Sequence, residues 1–354
     1  MKASTVSIDL AKSVFQVLGV TDTGKKVFSK RLSRQQFIEF IPQLESCHVV
    51  MEACMSSHYW ARCFVRAGHR VELLPAQYVT PFVRGNKNDK NDCLAIYEAS
   101  QRPGMRFVPI KTENQQSIMA LHRQRDRLIA GRTACVNQTR SLLLEFGVII
   151  HSPLKTFRRA LLEQLDNPAL PPLFRLTLND VIDELAAFDV RLGRILGLIK
   201  QLNDQSEAAQ ILLSLPGVGP IIASAFSACI DKGQAFSSAD ELPVWLGLTP
   251  RQYASGNTNR LGNITKRGDG YLRKQLIHGA RTVVSHAHKK QDDLSRWVSA
   301  IKARRGINKA VVATARRLAR LMWILLQRQT RYQPQFGQGP CQMDSQSQGV
   351  CHGA

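Results

Sequence analysis

The sequence predicts an α/β domain at the N-terminus, a long helical arm in the middle and a mostly α, strongly basic region beyond it. Three observations carry that division. Apolar residues alternate with period two in short runs as far as Leu74, and recur with helical period between Thr112 and Leu202. From Ser255 to Arg331 the chain then carries 18 Lys and Arg against 3 Asp, a net +15. The boundaries that follow are residues 1–108, 109–206 and 207–331, with a polar tail over 332–354.

Strands are expected at Thr5 to Asp9, Val14 to Val20 and Lys25 to Arg31, with Asp22-Thr23-Gly24 turning between the last two. Arg34 to Leu44 reads as a helix, His48 to Met51 as a strand, Tyr59 to Ala67 as a helix and Val71 to Leu74 as a strand. A further helix follows Asp89 and runs to Ser100. A three-strand meander followed by alternating helix and strand is the order of the ribonuclease H fold, an inference about fold and not yet about chemistry.

Four acids in this otherwise basic chain stand at informative places in that order. Asp9 and Glu52 end two apolar strand runs, while Asp89 and Asp92, three apart, share one face of the first turn of the helix that follows. Carboxylate oxygens are the ligands hard cations such as Mg²⁺ or Mn²⁺ prefer, and two such ions can hold the attacking and leaving oxygens of a phosphodiester. The alternative is four ordinary surface acids, with Asp89 capping its helix.

The formal charge is +21, with 48 Lys and Arg against 27 Asp and Glu, so a polyanionic partner is expected. A membrane is the competing partner, but no apolar run approaches the roughly 20 residues a spanning helix needs; Leu321 to Leu326 is the longest candidate. The start, Met1-Lys2-Ala3-Ser4, reads as the approach to a strand and not as a signal peptide, and the eight cysteines show no CxxC or zinc-like spacing. Reduced thiols in a cytoplasmic, nucleoid-associated protein are the expectation.

Thr112-Glu113-Asn114-Gln115 matches a capping box, and nothing breaks the chain until Gly147, so one long helix is expected, with arginines at 123, 125, 127, 132 and 140. Pro153, Pro168, Pro171 and Pro172 bracket a break. Beyond it Leu178, Val181, Leu185, Phe188, Leu192, Ile195, Ile199 and Leu202 alternate three- and four-residue steps, the pattern of a coiled-coil seam. That seam predicts self-association, with an antiparallel hairpin inside one chain as the alternative.

Leu215-Pro216-Gly217-Val218-Gly219-Pro220 lies between two apolar helical runs, Ala208 to Ser214 and Ile221 to Cys229. A Gly-x-Gly turn there could offer the N–H groups of Gly217 and Gly219 to a phosphate, as in helix-hairpin-helix DNA binding, or could serve close helix packing. Pro250 to Gly268 reads as a polar, glycine-rich loop containing Ser255-Gly256 and flanked by Lys266, Arg267, Arg273 and Lys274. A serine there could attack a phosphodiester, although such serines are more often turn formers. Residues 270–287 and 307–328 read as amphipathic helices; in the second, Lys309, Arg316 and Arg320 lie roughly opposite the apolar stripe, and Arg316 and Arg320 are candidates for nucleic-acid contact. His278, His286 and His288 have no obvious acidic partners, and the Gln-, Gly- and Ser-rich composition from Gln333 onward predicts a disordered tail.

These pieces together resemble one family over nearly the whole chain. Ser7-Ile8-Asp9, Met51-Glu52-Ala53, Lys87-Asn88-Asp89-Lys90-Asn91-Asp92, Leu215-Pro216-Gly217-Val218-Gly219, Ser255-Gly256, Lys266-Arg267-Gly268 and Leu272-Arg273 stand in the order seen in transposases of the insertion-sequence 110 family and its 1111 subgroup. The resemblance implies a RuvC-like DEDD domain in which Asp9, Glu52, Asp89 and Asp92 bind Mg²⁺, or Mn²⁺ in its place. It implies a C-terminal serine domain in which Ser255 is the nucleophile that links to DNA. It further implies dimers that assemble into tetramers with composite sites, and a structured noncoding RNA from the element's flanks that selects donor and target DNA. Cys93 departs from the pattern, where alanine is more usual. The expected function is an RNA-guided DNA recombinase that mobilises its own insertion sequence. The rivals are a metal-dependent junction resolvase or nuclease in which water attacks, and a non-catalytic architectural DNA binder.

Overall fold

The computed structural model describes residues 2–84, 88–256 and 258–334, and the chain divides after Gln116 into two compact units. Lys87 of the acidic motif and the predicted polar tail from 335 onward lie outside the described residues.

The first unit is built on β1 (Thr5–Leu10), β2 (Val14–Val20), β3 (Lys26–Ser33), α1 (Arg34–Phe40), β4 (His48–Glu52), α2 (Ser57–Arg66), β5 (Arg70–Leu74), α3 (Ala76–Val79) and α4 (Asp89–Ser100). The sheet order is β3-β2-β1-β4-β5, with β1–β2 and β2–β3 antiparallel and β1–β4 and β4–β5 parallel. That is the predicted ribonuclease H-like arrangement. The first helix stops at Phe40, short of the expected Leu44, where Pro42 tightens the chain into a 3₁₀ turn.

Strand alternation sorts the sheet into two faces. Val6, Ile8, Phe15, Val17, Val49 and Met51 pack with Phe37, Trp60 and Phe64 of α1 and α2, where Phe15 and Phe37 stack with ring centroids 4.3 Å apart. Val50 and Leu74 point the other way, onto Ala95, Ile96 and Ala99 of α4. Asp9 and Glu52 have the parity of Ser7 and Val50, so both fall on the α4 side.

All but the first turn of α5 (Glu113–Leu144) belongs to the second unit. The predicted capping box is formed: Gln115 N–H donates to Thr112 Oγ1 at 3.1 Å and Thr112 N–H to Gln115 Oε1 at 2.8 Å. After α6 (Phe157–Leu162), α7 (Pro172–Asp204) returns along α5. Leu178, Ile182 and Leu185 are buried with Val136 and Leu143, whereas Ile195 and Ile199 are buried with Leu128. Of the two readings of the seam, a coiled coil between chains and an antiparallel hairpin within one, these contacts are those of the hairpin. Its periodicity was legible, but a 3.5-residue repeat says nothing about which helix fills the holes.

The remaining elements are α8 (Glu207–Leu213), α9 (Pro220–Ile230), α10 (Glu241–Trp245), β6 (Pro250–Ser255), β7 (Thr258–Ile264), α11 (Gly270–His286), α12 (Asp293–Arg305) and α13 (Ile307–Arg328). Leu212, Phe226, Leu276, Leu318 and Met322 form the heart of their core. Asp269 and Asp292 cap α11 and α12, accepting from Leu272 N–H at 2.7 Å and Ser295 N–H at 3.0 Å. The segment expected to be a polar loop, Pro250 to Gly268, is instead largely the β6–β7 hairpin. It has no buried face, so the apolar alternation that announces a strand is missing from its sequence. No described helix is long and apolar enough to cross a membrane, and none of the six cysteines among the described residues forms a disulfide.

Candidate active site and nucleic-acid interface

The β1–β4 register ends at Ile8↔Met51, so Asp9 and Glu52 are the next residues along two adjacent parallel strands. Asn88 caps α4 by accepting from Asn91 N–H at 2.9 Å, which leaves Asp89 and Asp92 in the first turn. Asp89 is thus not the cap. Beneath them Cys93 is fully buried; its Sγ accepts the Asp9 N–H at 3.2 Å and donates to Gln16 O at 3.0 Å, tying α4 to β1 and β2.

Two thiols register the charge of the acids around them. Burial raises the Cys54 pKa, and the carboxylates of Glu52 and then Asp9 raise it further. Burial pushes Cys93 far above the ordinary thiol range; the Asp9 N–H offsets part of this, and Asp9, Asp92 and Asp89 add to it. All four carboxylates therefore act on one end of the sheet. They are not drawn up into a cage, since no three His, Cys, Asp or Glu among the described residues come together closely enough to hold one ion.

Ser255 lies in the second unit, at the tip of the β6–β7 hairpin, where it pairs with Thr258 across a two-residue connection. Every residue of β6 is exposed. Among the described residues its hydroxyl has no hydrogen-bond partner, and no His, Asp or Glu occurs anywhere from Pro250 to Gly268. The base of the hairpin is held as tightly as its tip is open. Thr265 N–H donates to Thr249 O at 2.9 Å and Lys266 N–H to Gly247 O at 3.1 Å. At Gly268 (φ +79°) a Cβ would lie 1.8 Å from Trp245 O, so only glycine lets the two backbones approach.

A model of DEDD transposases of the IS110 type matches residues 6–147, and one described as the IS116/IS110/IS902 transposase family matches residues 209–296. A probable family 20 transposase of Pseudomonas aeruginosa is 44% identical over 94% of this chain and 100% of its own length. The transposase for insertion sequence element IS1111A of Coxiella burnetii is 39% identical over 92% of this chain and 90% of its own. A pilin gene-inverting protein of Moraxella lacunata is 24% identical over 78% of this chain and 82% of its own. The chain belongs to the IS110/IS1111 family of transposases. It is an enzyme of DNA transposition, acting by phosphoryl transfer.

A DEDD transposase domain implies a divalent metal, commonly Mg²⁺. The transposase's donor set fits such an ion: four carboxylates lie on one side of the sheet, three of them partly shielded from water, and the thiols of Cys54 and Cys93 beside them are held protonated by burial and by the acids' charge.

The cations expected to meet nucleic acid divide on inspection. Lys266 and Arg267 are exposed and their side chains have no acidic partner among the described residues. Arg273 instead donates through Nη1 to Leu246 O at 2.9 Å and Arg267 O at 3.0 Å, which braces the hairpin base. Lys274 pairs with Asp126 of α5 at 2.5 Å, and Arg316 and Arg320 pair with Asp240 at 3.7 and 3.0 Å. Sequence reasoning passed over Arg304 and Arg305, which with Lys309 stand exposed at the α12–α13 corner with no carboxylate partner among the described residues. Their signal was available as the Lys302–Lys309 charge run.

The glycine turn also divides. Gly217 (φ +85°) is pressed on α11, where a Cβ would sit 2.8 Å from Gly279 O and 2.5 Å from Val283 Cγ2. Gly219, the N-cap of α9, has nothing within 4 Å of its Cβ position. One glycine serves packing and the other leaves backbone open.

Sequence reasoning also left His122 of α5 unassigned. Its Nε2 lies 2.8 Å from Ser224 Oγ and its Nδ1 3.0 Å from Tyr271 Oη, joining α5 to α9 and α11. Burial, helped by the charge of Arg125, lowers its pKa to about 4.

Proposed function

We propose that this transposase is an RNA-guided DNA recombinase in which Ser255 Oγ attacks the scissile phosphate. One P–O bond to a DNA sugar breaks, that oxygen leaves as a hydroxyl with the proton the serine gives up, and the phosphate stays covalently linked to the serine and to the other DNA end. In this reading residues 1–108 form the RuvC-like catalytic domain, 109–206 the arm and 207–331 the serine domain. Asp9, Glu52, Asp89 and Asp92 would hold Mg²⁺, or Mn²⁺, which when bound supplies the positive charge that offsets the phosphate's repulsion of an incoming oxygen. The observation that carries the proposal is the placement of Ser255: an unpartnered hydroxyl at the tip of an exposed hairpin without a single acid in it. A serine that served only the turn would be expected to hydrogen-bond nearby backbone, and among the described residues this one does not.

The hairpin contains no general base, so the acids must come from elsewhere in the assembly. A composite site built from the RuvC-like domain of one subunit and the serine domain of another, in a dimer that pairs into a tetramer, meets that need. Lys266 and Arg267, the open backbone at Gly219 and the α12–α13 corner would hold donor and target DNA and a structured guide RNA, the last read from the family resemblance and the net +15 beyond Ser255. The relative named for inverting a gene supports a strand-rejoining reaction, because inversion reconnects each end that it cuts.

The deciding experiment uses end-labelled DNA from the element's termini and denaturing gels. A slow band that protease removes is the expected covalent adduct; it should vanish with Ser255→Ala while DNA binding persists. Wild-type adduct from Ser255→Ala would exclude this serine. Metal-dependent cleavage with no adduct at all would favour the nuclease in which water attacks.

A further inference from the structure

The register of the β6–β7 hairpin fixes which residues share a face with Ser255. Ser255 pairs with Thr258 and Tyr253 with Arg260, whereas Gln252 pairs with Leu261 and Ala254 with Asn259. Directly paired residues project to the same side and successive residues to opposite sides, so Tyr253, Ser255, Thr258 and Arg260 form one face. The other face is uncharged, and its polar groups satisfy each other: Gln252 Nε2 donates to Asn259 Oδ1 at 3.3 Å.

Tyr253 has an unusual setting. A Cβ at Gly262 would lie 3.2 Å from Tyr253 Cε2, so the ring spreads across the one strand position that has no side chain. Its outer side remains open, with 57% of the residue exposed. Arg260 and Arg251 are exposed and have no carboxylate partner among the described residues, and the whole segment from Pro250 to Gly268 carries four cations and no acid. An exposed aromatic flanked by unpaired arginines, in a ribbon of one charge sign, is a surface that suits a polyanion with flat rings. Tyr253 is two strand positions from Ser255, about 7 Å away, on the order of one nucleotide of an extended strand.

We propose that this face is a DNA-strand platform, on which Tyr253 stacks an unpaired nucleobase and Arg260 neutralises a phosphate beside the one that Ser255 attacks. The assignment to DNA rests on the reading of Ser255 as the nucleophile toward a DNA strand. Tyr253 and Arg260 are positioning residues; neither exchanges a proton or a bond with the substrate. Thr258, opposite Ser255, offers a hydroxyl to the same phosphate.

The test is done in a full-length Ser255→Ala background, which silences attack and leaves binding and stacking readable. The probe is a single-stranded DNA oligonucleotide carrying 2-aminopurine, whose fluorescence responds to stacking on an aromatic ring, compared with an RNA oligonucleotide of the same sequence. Expected is a fluorescence change on binding that is lost with Tyr253→Leu, kept with Tyr253→Phe and unaffected by Leu261→Thr on the opposite face, with roughly tenfold weaker DNA binding for Tyr253→Leu. Arg260→Gln should lower the slope of log affinity against log salt by about 0.7. An unchanged signal with Tyr253→Leu would overturn the proposal, as would an equal loss with Leu261→Thr, which would point to hairpin integrity. A signal seen with the RNA probe and not with DNA would overturn it too. The separate gel assay decides the serine: if Ser255→Ala keeps the adduct while the platform signal behaves as expected, the nucleophile reading fails and the base platform stands.

Discussion

The acidic site and the serine hairpin are built on opposite principles. Asp9 and Glu52 end central strands whose apolar partners are fully buried, and α4 is tied to them through a buried thiol. Their backbone positions are set by a core that exists in the isolated chain. Ser255 sits on two strands that bury nothing, and an isolated hairpin is at best marginally stable in water. Its placement is set at the base, where the backbone of Gly247 meets that of Lys266 and Arg267, Gly268 meets Trp245, and Arg273 bonds the Leu246 carbonyl, while the tip is exposed. In the proposed mechanism, one half of the chemistry would be pre-organised by folding, and the other left to be organised by assembly.

The sharpest way to break that comparison is to remove each half separately. Asp9→Asn and Ser255→Ala should each abolish the adduct, a loss of at least about 100-fold, because losing a charged ligand or a nucleophile stops the same step. Both proteins should fold normally. If the working site is composite, mixing the two variants should restore part of the cleavage, since mixed oligomers contain one intact pairing. Recombination by Asp9→Asn at the wild-type rate in Mg²⁺ would remove the acids from the mechanism.

How far each half could be read from the sequence follows the same division. The apolar runs placed Asp9 and Glu52 at strand ends and a three-residue spacing put Asp89 and Asp92 on one helix face, because burial imposes a period on the residues around them; that all four share one side of the sheet needed the strand register. The hairpin escaped notice because exposed strands carry no such period. Arg316 and Arg320 were assigned correctly to the polar side of α13, but nothing local reveals that Asp240 reaches them. Gly217 was ambiguous for the same reason: its partner, Gly279, lies on another helix. The Ser224–His122–Tyr271 network joins three separate segments and leaves no pattern in any of them.

Within the second unit, core and open backbone can be contrasted at the two glycines of one turn. Gly217→Ala forces a Cβ onto α11 at a positive φ and should destabilise the chain by about 1–3 kcal/mol, lowering the melting temperature. Gly219→Ala should leave stability within about 0.5 kcal/mol and change only DNA affinity. Equal stability losses would mean that both glycines serve packing, and the phosphate-binding role of the turn would fall.

Acid should loosen the second unit's core through His122. Its folded pKa lies near 4, below the ordinary 6.5, so between those values the unfolded chain takes up a proton that the folded chain refuses. Stability is therefore complete above about pH 6.5 and falls as pH drops toward 4, by up to roughly 3 kcal/mol. His122→Gln should lower stability at pH 7 yet flatten the melting temperature between pH 6.5 and 4.5. A profile as steep as wild type would place the acid sensitivity elsewhere, with His58, held near 4 chiefly by burial and then by Lys111 and Arg62, as the next group to test.

The smallest effect tests which cations face nucleic acid. Arg316 and Arg320 already share Asp240, at 46% and 44% side-chain exposure, and such solvated pairs contribute little to stability while still costing something to break. Arg304 and Arg305 have no such partner among the described residues and can approach a phosphate directly. Each phosphate contact on duplex DNA contributes about −0.9 to the slope of log affinity against log salt, so Arg304→Gln with Arg305→Gln should make that slope shallower by about 1.8. Arg316→Gln with Arg320→Gln should change it by far less. If the second pair carried the slope instead, Asp240 would have to release both guanidinium groups when DNA arrives. Asp240→Asn would then tighten binding, and the interface would lie along α13 and not at its corner with α12.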